Sequence, residues 1–229
     1  MFSSTRVRTL LRGSAVVSVA TGTLLAAGGV AGATGFGSAA SSTGFAGYAL
    51  TVSSLKSGSV SLKIPSETCT GTASGVIAGL FDSDEVTISG YAQCNKGSKT
   101  LVAGVFVYVF GHAKTVAAKP GDQLTASFSE SGGKVTAKVV DSTTKTTTSL
   151  TESGTLASAV RYGLNFLAEP GIAKVAPGAF GSVTFSSSTV NGSSLSGHSP
   201  VATTWVKGST VVVKCGALSK AGSFTTTRA

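Results

Sequence analysis

This sequence is short of acid. Nine Asp and Glu stand against 18 Lys and Arg in 229 residues, with only two histidines, three cysteines and one tryptophan. Each shortage excludes a chemistry. No Cys-x-x-Cys spacing occurs, and His112 and His198 have no cysteine or carboxylate at ligand spacing, which argues against a zinc site. No Asp-Thr-Gly or Asp-Ser-Gly loop is present to build an aspartic protease dyad, and no Gly-x-Ser-x-Gly elbow to carry a serine nucleophile. The lysines are scattered singly among Ser and Thr, with no basic cluster and no basic stripe interleaved with aromatics, so nucleic acid is not expected as a partner. After residue 33 no long apolar run remains, so no membrane span is expected there.

What is present begins with an export signal. Arg6, Arg8 and Arg12 precede an apolar, small-residue run from Ala15 to Ala33, which ends in Ala31-Gly32-Ala33. That order fits a cleavable signal peptide of bacterial style over residues 1–33, and implies an extracellular protein. Taking its three arginines from 18 Lys+Arg leaves 15 against 9 Asp+Glu, a net charge of +6. Residues 34–43 read as a flexible Gly/Ser/Ala leader, 44–219 as one domain, and 220–229 as a frayed tail. The expected partners of that domain, read as a monomer, are a polypeptide or a polymer of the cell envelope; no cofactor is expected. In an exported protein, three cysteines suggest one disulfide and one leftover thiol.

The domain reads as strand after strand. Tyr48–Val52, Ser59–Ile64, Val86–Tyr91, Gln123–Glu130 and Lys134–Asp141 alternate apolar with polar residues, and Thr146–Glu152 follows as a Thr-rich strand. Gly75–Phe81, Gly181–Phe185 and Val211–Cys215 are shorter runs. Leu101–Phe110 is rich in Val and aromatics and reads as a strand buried on both faces. Ser131-Gly-Gly133 is a hairpin turn, and Thr155–Tyr162 fits a single helical turn. Many strands with Gly-rich turns and no βα alternation predict an all-β, antiparallel double-sheet sandwich.

Three polar segments have two readings each. Asp82-Ser-Asp-Glu85 offers oxygens to Ca²⁺ or is an acidic turn. Asn191-Gly-Ser193 matches a glycosylation sequon. Glu169 ends the apolar run Leu164-Asn-Phe-Leu-Ala-Glu169, where alternation places it with Asn165 and Leu167. A carboxylate beside an amide on a sheet face suits acid–base work; the alternative is a solvated carboxylate at a strand end.

Taken in order, the segments resemble the glutamic peptidases, or eqolisins. Gly44-Phe-Ala-Gly-Tyr-Ala49 is similar to that family's Asn-Trp-x-Gly-Tyr opening. Ile77-Ala-Gly-Leu-Phe-Asp82 stands where the family has Trp-Val-Gly-Ile-Asp-Gly, and Phe106-Val-Tyr-Val-Phe-Gly111 where it has Trp-Tyr-Glu-Trp-Tyr-Pro. Lys119-Pro-Gly-Asp122 matches a Gly-Asp turn, Asn165-Phe-Leu-Ala-Glu169 resembles Glu-Trp-Ile-Val-Glu, and Phe180-Gly-Ser-Val-Thr-Phe185 resembles Phe-Gly-x-Val-x-Phe. The resemblance implies a lectin-like sandwich, a Cys69–Cys94 disulfide with Cys215 free, and Glu169 as the base that activates water. It also implies a catalytic Gln, but the matching triplet here is Ile88-Ser89-Gly90, with Ile at the Gln position. Gln93 lies five residues on, on the opposite face of a regular strand unless a bulge intervenes. Ile77, Phe81 and Tyr108 replace further polar residues of the family's motifs. These departures favour a non-catalytic binding or envelope-associated domain, with Asn165, Tyr91, Phe106, Tyr108 and Phe110 lining its site; the alternative is a divergent acid endopeptidase using Glu169.

Overall fold

A computed structural model describes residues 40–42, 44–82, 85–166 and 179–229. Its strands are β1 (Ala40–Ser42), β2 (Phe45–Thr51), β3 (Ser57–Lys63), β4 (Ser74–Asp82), β5 (Val86–Cys94), β6 (Leu101–Val109), β7 (His112–Ala117) and β8 (Gln123–Ser131). There follow β9 (Lys134–Asp141), β10 (Thr146–Ser153), β11 (Ala159–Phe166), β12 (Ser182–Val190), β13 (Ser193–Ser194), β14 (Val201–Lys207), β15 (Thr210–Cys215) and β16 (Phe224–Arg228). They hydrogen-bond in the order β10-β9-β8-β3-β12-β16-β15-β14-β2-β11-β4-β5-β6-β7. β1 adds in parallel to β14, and β13 pairs antiparallel with β12. The run curls on itself. A first layer holds β14, β2, β11 and β4 to β7; a second holds β10, β9, β8, β3, β12, β16 and β15, and β8 to β10 pack over β5 and β6. This is the antiparallel sandwich that the alternation predicts.

The core lies between the layers. Val60 and Leu62, Leu124 and Phe128, and Val135 and Val139 point inward from the second layer toward Leu80, Ile88, Val105 and Val107 of the first. Each such side chain contributes about 1.5–3 kcal/mol on full burial. The intervening residues are Ser, Thr and Lys, so one residue of slip would invert both faces. Two tyrosines carry polar groups inward with partners: Tyr162 Oη donates to the Thr189 carbonyl at 2.6 Å and Tyr48 Oη to the Gly216 carbonyl at 3.0 Å. Gly132 and Gly133, at φ 57° and 70°, make the two-residue turn between β8 and β9.

Several expectations are corrected. Thr155–Tyr162 holds no helical turn: Ala159 onward is β11, a central strand paired to β2 and β4, with Val160, Tyr162 and Leu164 buried. The tail is not frayed, because β16 pairs with β12 and β15 and buries Phe224 and Thr226. The leader's last described residues form β1. Leu101–Phe110 is buried on one face only; Val102 is 43% exposed, while Val105, Val107 and Val109 face the core. β7 and β14 carried no apolar alternation strong enough to be seen, and β7 is an exposed edge.

Cys69 and Cys94 are joined, with Cα atoms 5.4 Å apart, and Cys215 is free. Burial pushes the Cys215 thiol up to about 12, which favours its protonated form. Beside the disulfide loop, Glu67 is buried, accepts a hydrogen bond from Ser74 Oγ through Oε1, and leaves Oε2 without a partner. Burial raises its pKa above the usual carboxylate value, opposed by the Ser74 hydrogen bond and by Arg228. The folded state therefore holds this proton more tightly than the unfolded chain does. Stability from this group is full below the ordinary Glu value and is lost as pH rises through the raised one. Melting curves between about pH 4 and pH 7 should show a fall in wild type that Glu67→Gln flattens; an equal fall in both would refute the assignment.

Candidate functional site

The outer face of the first layer gathers most of the residues expected at a site. Cross-strand register lays them out in rows. One row runs Phe45, Asn165, Ile77, Tyr91, Gly104 across β2, β11, β4, β5 and β6. The next runs Gly47, Gly163, Gly79, Ser89, Phe106, and the third Ala49, Arg161, Phe81, Thr87, Tyr108.

The flanking rows carry bulk, and Phe106 closes the β6 end of the middle row. Phe106 and Tyr108 stack with ring centroids 6.4 Å apart and planes 7° from parallel. Arg161 Cζ lies 6.0 Å from the centre of the Phe45 ring, within cation–π range. Tyr91 folds over Gly104, where an added Cβ would meet its hydroxyl at 2.7 Å, and burial raises its phenol pKa. The middle row carries almost nothing. A Cβ on Gly47, Gly79 or Gly163 would meet a carbonyl oxygen of the adjoining strand at 2.0, 2.1 or 2.2 Å. Only glycine fits there, and the result is a strip without side chains that ends at Ser89, whose buried Oγ has no hydrogen-bond partner.

The motif-matched positions divide. Ile77, Phe81 and Tyr108 do stand on this face with Asn165, Tyr91 and Phe106. Ile88 does not: it is 0% exposed and opposes Leu80 and Val107 on the core side. The β4–β5 hairpin fixes this, because Asp82 pairs with Val86 and every later pair follows without a register shift. The outward residue beside Gly79 and Phe106 is Ser89, one position from the matched Ile. With no bulge in β5, Gln93 also faces outward, and its Nε2 donates to Asn95 Oδ1 at 2.9 Å. Phe110 leaves the aromatic group. Its φ of 43° turns the ring onto Gly154, where an added Cβ would meet it at 2.3 Å. Glu169 lies outside the described residues.

The first residue of each of two other polar segments has structural partners. Asp82 is buried and its Oδ2 accepts from the Ala157 amide at 3.0 Å. Asn191 is a turn residue at φ 49°; its Oδ1 accepts from the Lys56 and Ser57 amides, and its Nδ2 donates to the Ser54 carbonyl. The glycine row and Ser89 were missed in the sequence. The row's signal was a glycine inside each of three apolar strands, which marks close backbone approach.

Two solved structures match most of the described architecture. Scytalido-glutamic peptidase, solved with a transition-state-analog inhibitor, superposes with a TM-score of 0.61 at 18% identity, over 82% of this chain and 98% of that one. SCP-B, an eqolisin solved with the tripeptide Ala-Ile-His, gives 0.62 at 16% identity over the same shares. The fold is that of the glutamic peptidases. No family description and no curated protein matches the sequence itself. The glutamic-peptidase fold is thus kept at an identity too low to carry its chemistry across, and the face described above must be judged on its own residues.

Proposed function

We propose that this chain is an exported, non-catalytic protein of glutamic-peptidase fold that acts outside the cell as a binding or envelope-associated domain. The reading rests on one observation: the residue matched to the catalytic Gln, Ile88, is sealed in the core, and the outward position beside it is Ser89, surrounded by Ile77, Phe81, Tyr91 and Tyr108. Hydrolysis in this fold family needs an amide or other donor to hold the oxyanion, and losing one such donor typically costs 10²–10³ in rate. An aromatic-flanked strip suits holding a polypeptide better than cutting it.

A divergent acid endopeptidase with Glu169 as general base is the second reading, favoured by the shared fold and by the Asn165 and Gln93 amides on the outward face. Purified protein incubated with an unfolded protein substrate from about pH 2 to pH 7 should give no cleavage. Robust cleavage that Glu169→Gln abolishes, with the fold intact, would overturn the first reading and establish the second.

A further inference from the structure

Acids and bases are distributed differently in this molecule. Glu67, Asp82, Asp122 and Asp141 are buried. Asp122 accepts from the Lys119 amide at 2.7 Å, Asp141 from the Thr143 and Thr144 amides at 2.8 and 3.1 Å, and half-buried Glu130 takes Lys56 Nζ at 2.7 Å. Among the described acids only Glu85 is exposed. Lysines such as Lys63, Lys96, Lys138 and Lys214 are exposed. Among the described residues solvent therefore meets more lysines than acids, and such a surface draws anions.

One face joins that charge to a lattice of hydroxyls. On the outer side of the second layer, every outward position of β3, β8 and β10 is Ser or Thr except Lys63 and Gln123. Neighbouring strands tie these hydroxyls together: Ser59 to Thr189 at 2.7 Å, Ser61 to Thr125 at 3.0 Å, Thr136 to Thr151 at 2.9 Å and Thr184 to Thr225 at 3.0 Å. Each hydroxyl has capacity for a further hydrogen bond, and the pairing holds it in place. Two shallow depressions open on the face, of about 530 and 240 Å³, the first bordered by Lys63 and the second by Lys138. Lys63, Lys134, Lys138 and Lys214 point outward here, and no described acid does. No aromatic ring points outward on these strands, which removes the stacking platform that single-stranded nucleic acid uses.

We propose that this face binds an acidic polysaccharide, a polyhydroxylated chain bearing carboxylate or phosphate groups. Fixed hydroxyls meet the sugar hydroxyls, and the lysines at the depressions meet the anions. This does not depend on what the first layer's outer face does.

Affinity electrophoresis of the full chain through polygalacturonate, a glycerol-phosphate teichoic acid, neutral dextran and duplex DNA tests it. Retardation is expected in one or both acidic polymers and not in dextran; which of them retards names the anionic group. Lys63→Gln/Lys138→Gln/Lys214→Gln should weaken binding roughly tenfold, as three exposed charge contacts would. Lys96→Gln/Lys99→Gln/Lys114→Gln removes equal charge elsewhere and should leave binding within about twofold, a control for diffuse attraction. Ser59→Ala/Ser61→Ala/Thr125→Val, at constant charge, should also weaken it. No retardation by either acidic polymer, equal loss in the two lysine triples, no loss in the hydroxyl triple, or equally tight binding of DNA would each overturn the proposal.

Discussion

Ile88→Gln is expected to give no peptidase activity and a clearly less stable protein. The sequence match invites the opposite expectation, since it restores the amide that the glutamic peptidases carry at the matched position. Register decides against it. Ile88 opposes Leu80 on one side and Val107 on the other, and all three are 0% exposed. A Gln there loses the burial of Ile, about 1.5–3 kcal/mol, and leaves an amide in the core without partners, about 1–3 kcal/mol more. For a chain of this length each kcal/mol lowers the melting midpoint by about 2–4 °C, so a drop of about 5–24 °C is expected. Ser89→Ala, one residue away and on the other face, should be neutral or slightly stabilising, because it removes a buried hydroxyl that has no partner. Melting curves and an acid cleavage assay on both variants check this. If Ile88→Gln melts with wild type, or gains cleavage, the side chain faces the site and the register argument fails.

The same pair of residues shows what was legible in the sequence. Strands β8 and β9 could be read because Val, Leu, Phe and Ala alternate there with Ser, Thr and Lys, and one buried face imposes that pattern; β10 was read from its threonines. β7 could not, since an exposed edge strand needs no apolar face. β16 offers one large apolar residue, Phe224, in a run of threonines, and its place between β12 and β15 comes from tertiary pairing. The order of motifs identified the fold and most of the outward face, because Ile77, Phe81 and Tyr108 sit at the spacing their strands dictate. It misplaced Ile88 because a triplet match carries no parity. Parity across a hairpin is set by the turn, here the Asp82–Val86 pairing, and the chain's identities alone do not encode that count. Phe110 shows the same limit, since only the positive φ at the β6–β7 turn takes it away from Phe106 and Tyr108.

Gly163→Ala should be severely damaging for the addition of a single methyl group. Gly163 sits on β11, hydrogen-bonded to β2 on one side and β4 on the other, at φ 158°, where an L side chain is strained. Its Cβ would lie 2.2 Å from the Ala46 carbonyl oxygen and 2.8 Å from Gly47 Cα. Both are backbone atoms of a paired strand, so neither can turn aside as a flexible side chain would. The strands must separate or the sheet must bend, which places the cost above about 4 kcal/mol, the range reserved for backbone strain and lost ladders. A typical domain has about 5–15 kcal/mol in all, so a large unfolded fraction or failure to accumulate is expected. Gly181→Ala is the matched control. It has no atom within 4 Å of its added Cβ and no positive φ, and it should stay within about 0.5 kcal/mol of wild type. Denaturant midpoints of the two variants separate the cases. If Gly163→Ala proves as mild as Gly181→Ala, then β2, β11 and β4 are not closed at this row. The strip between the aromatic rows would then have room for side chains, and the proposal that this face holds a polypeptide would lose the side-chain-free strip it rests on.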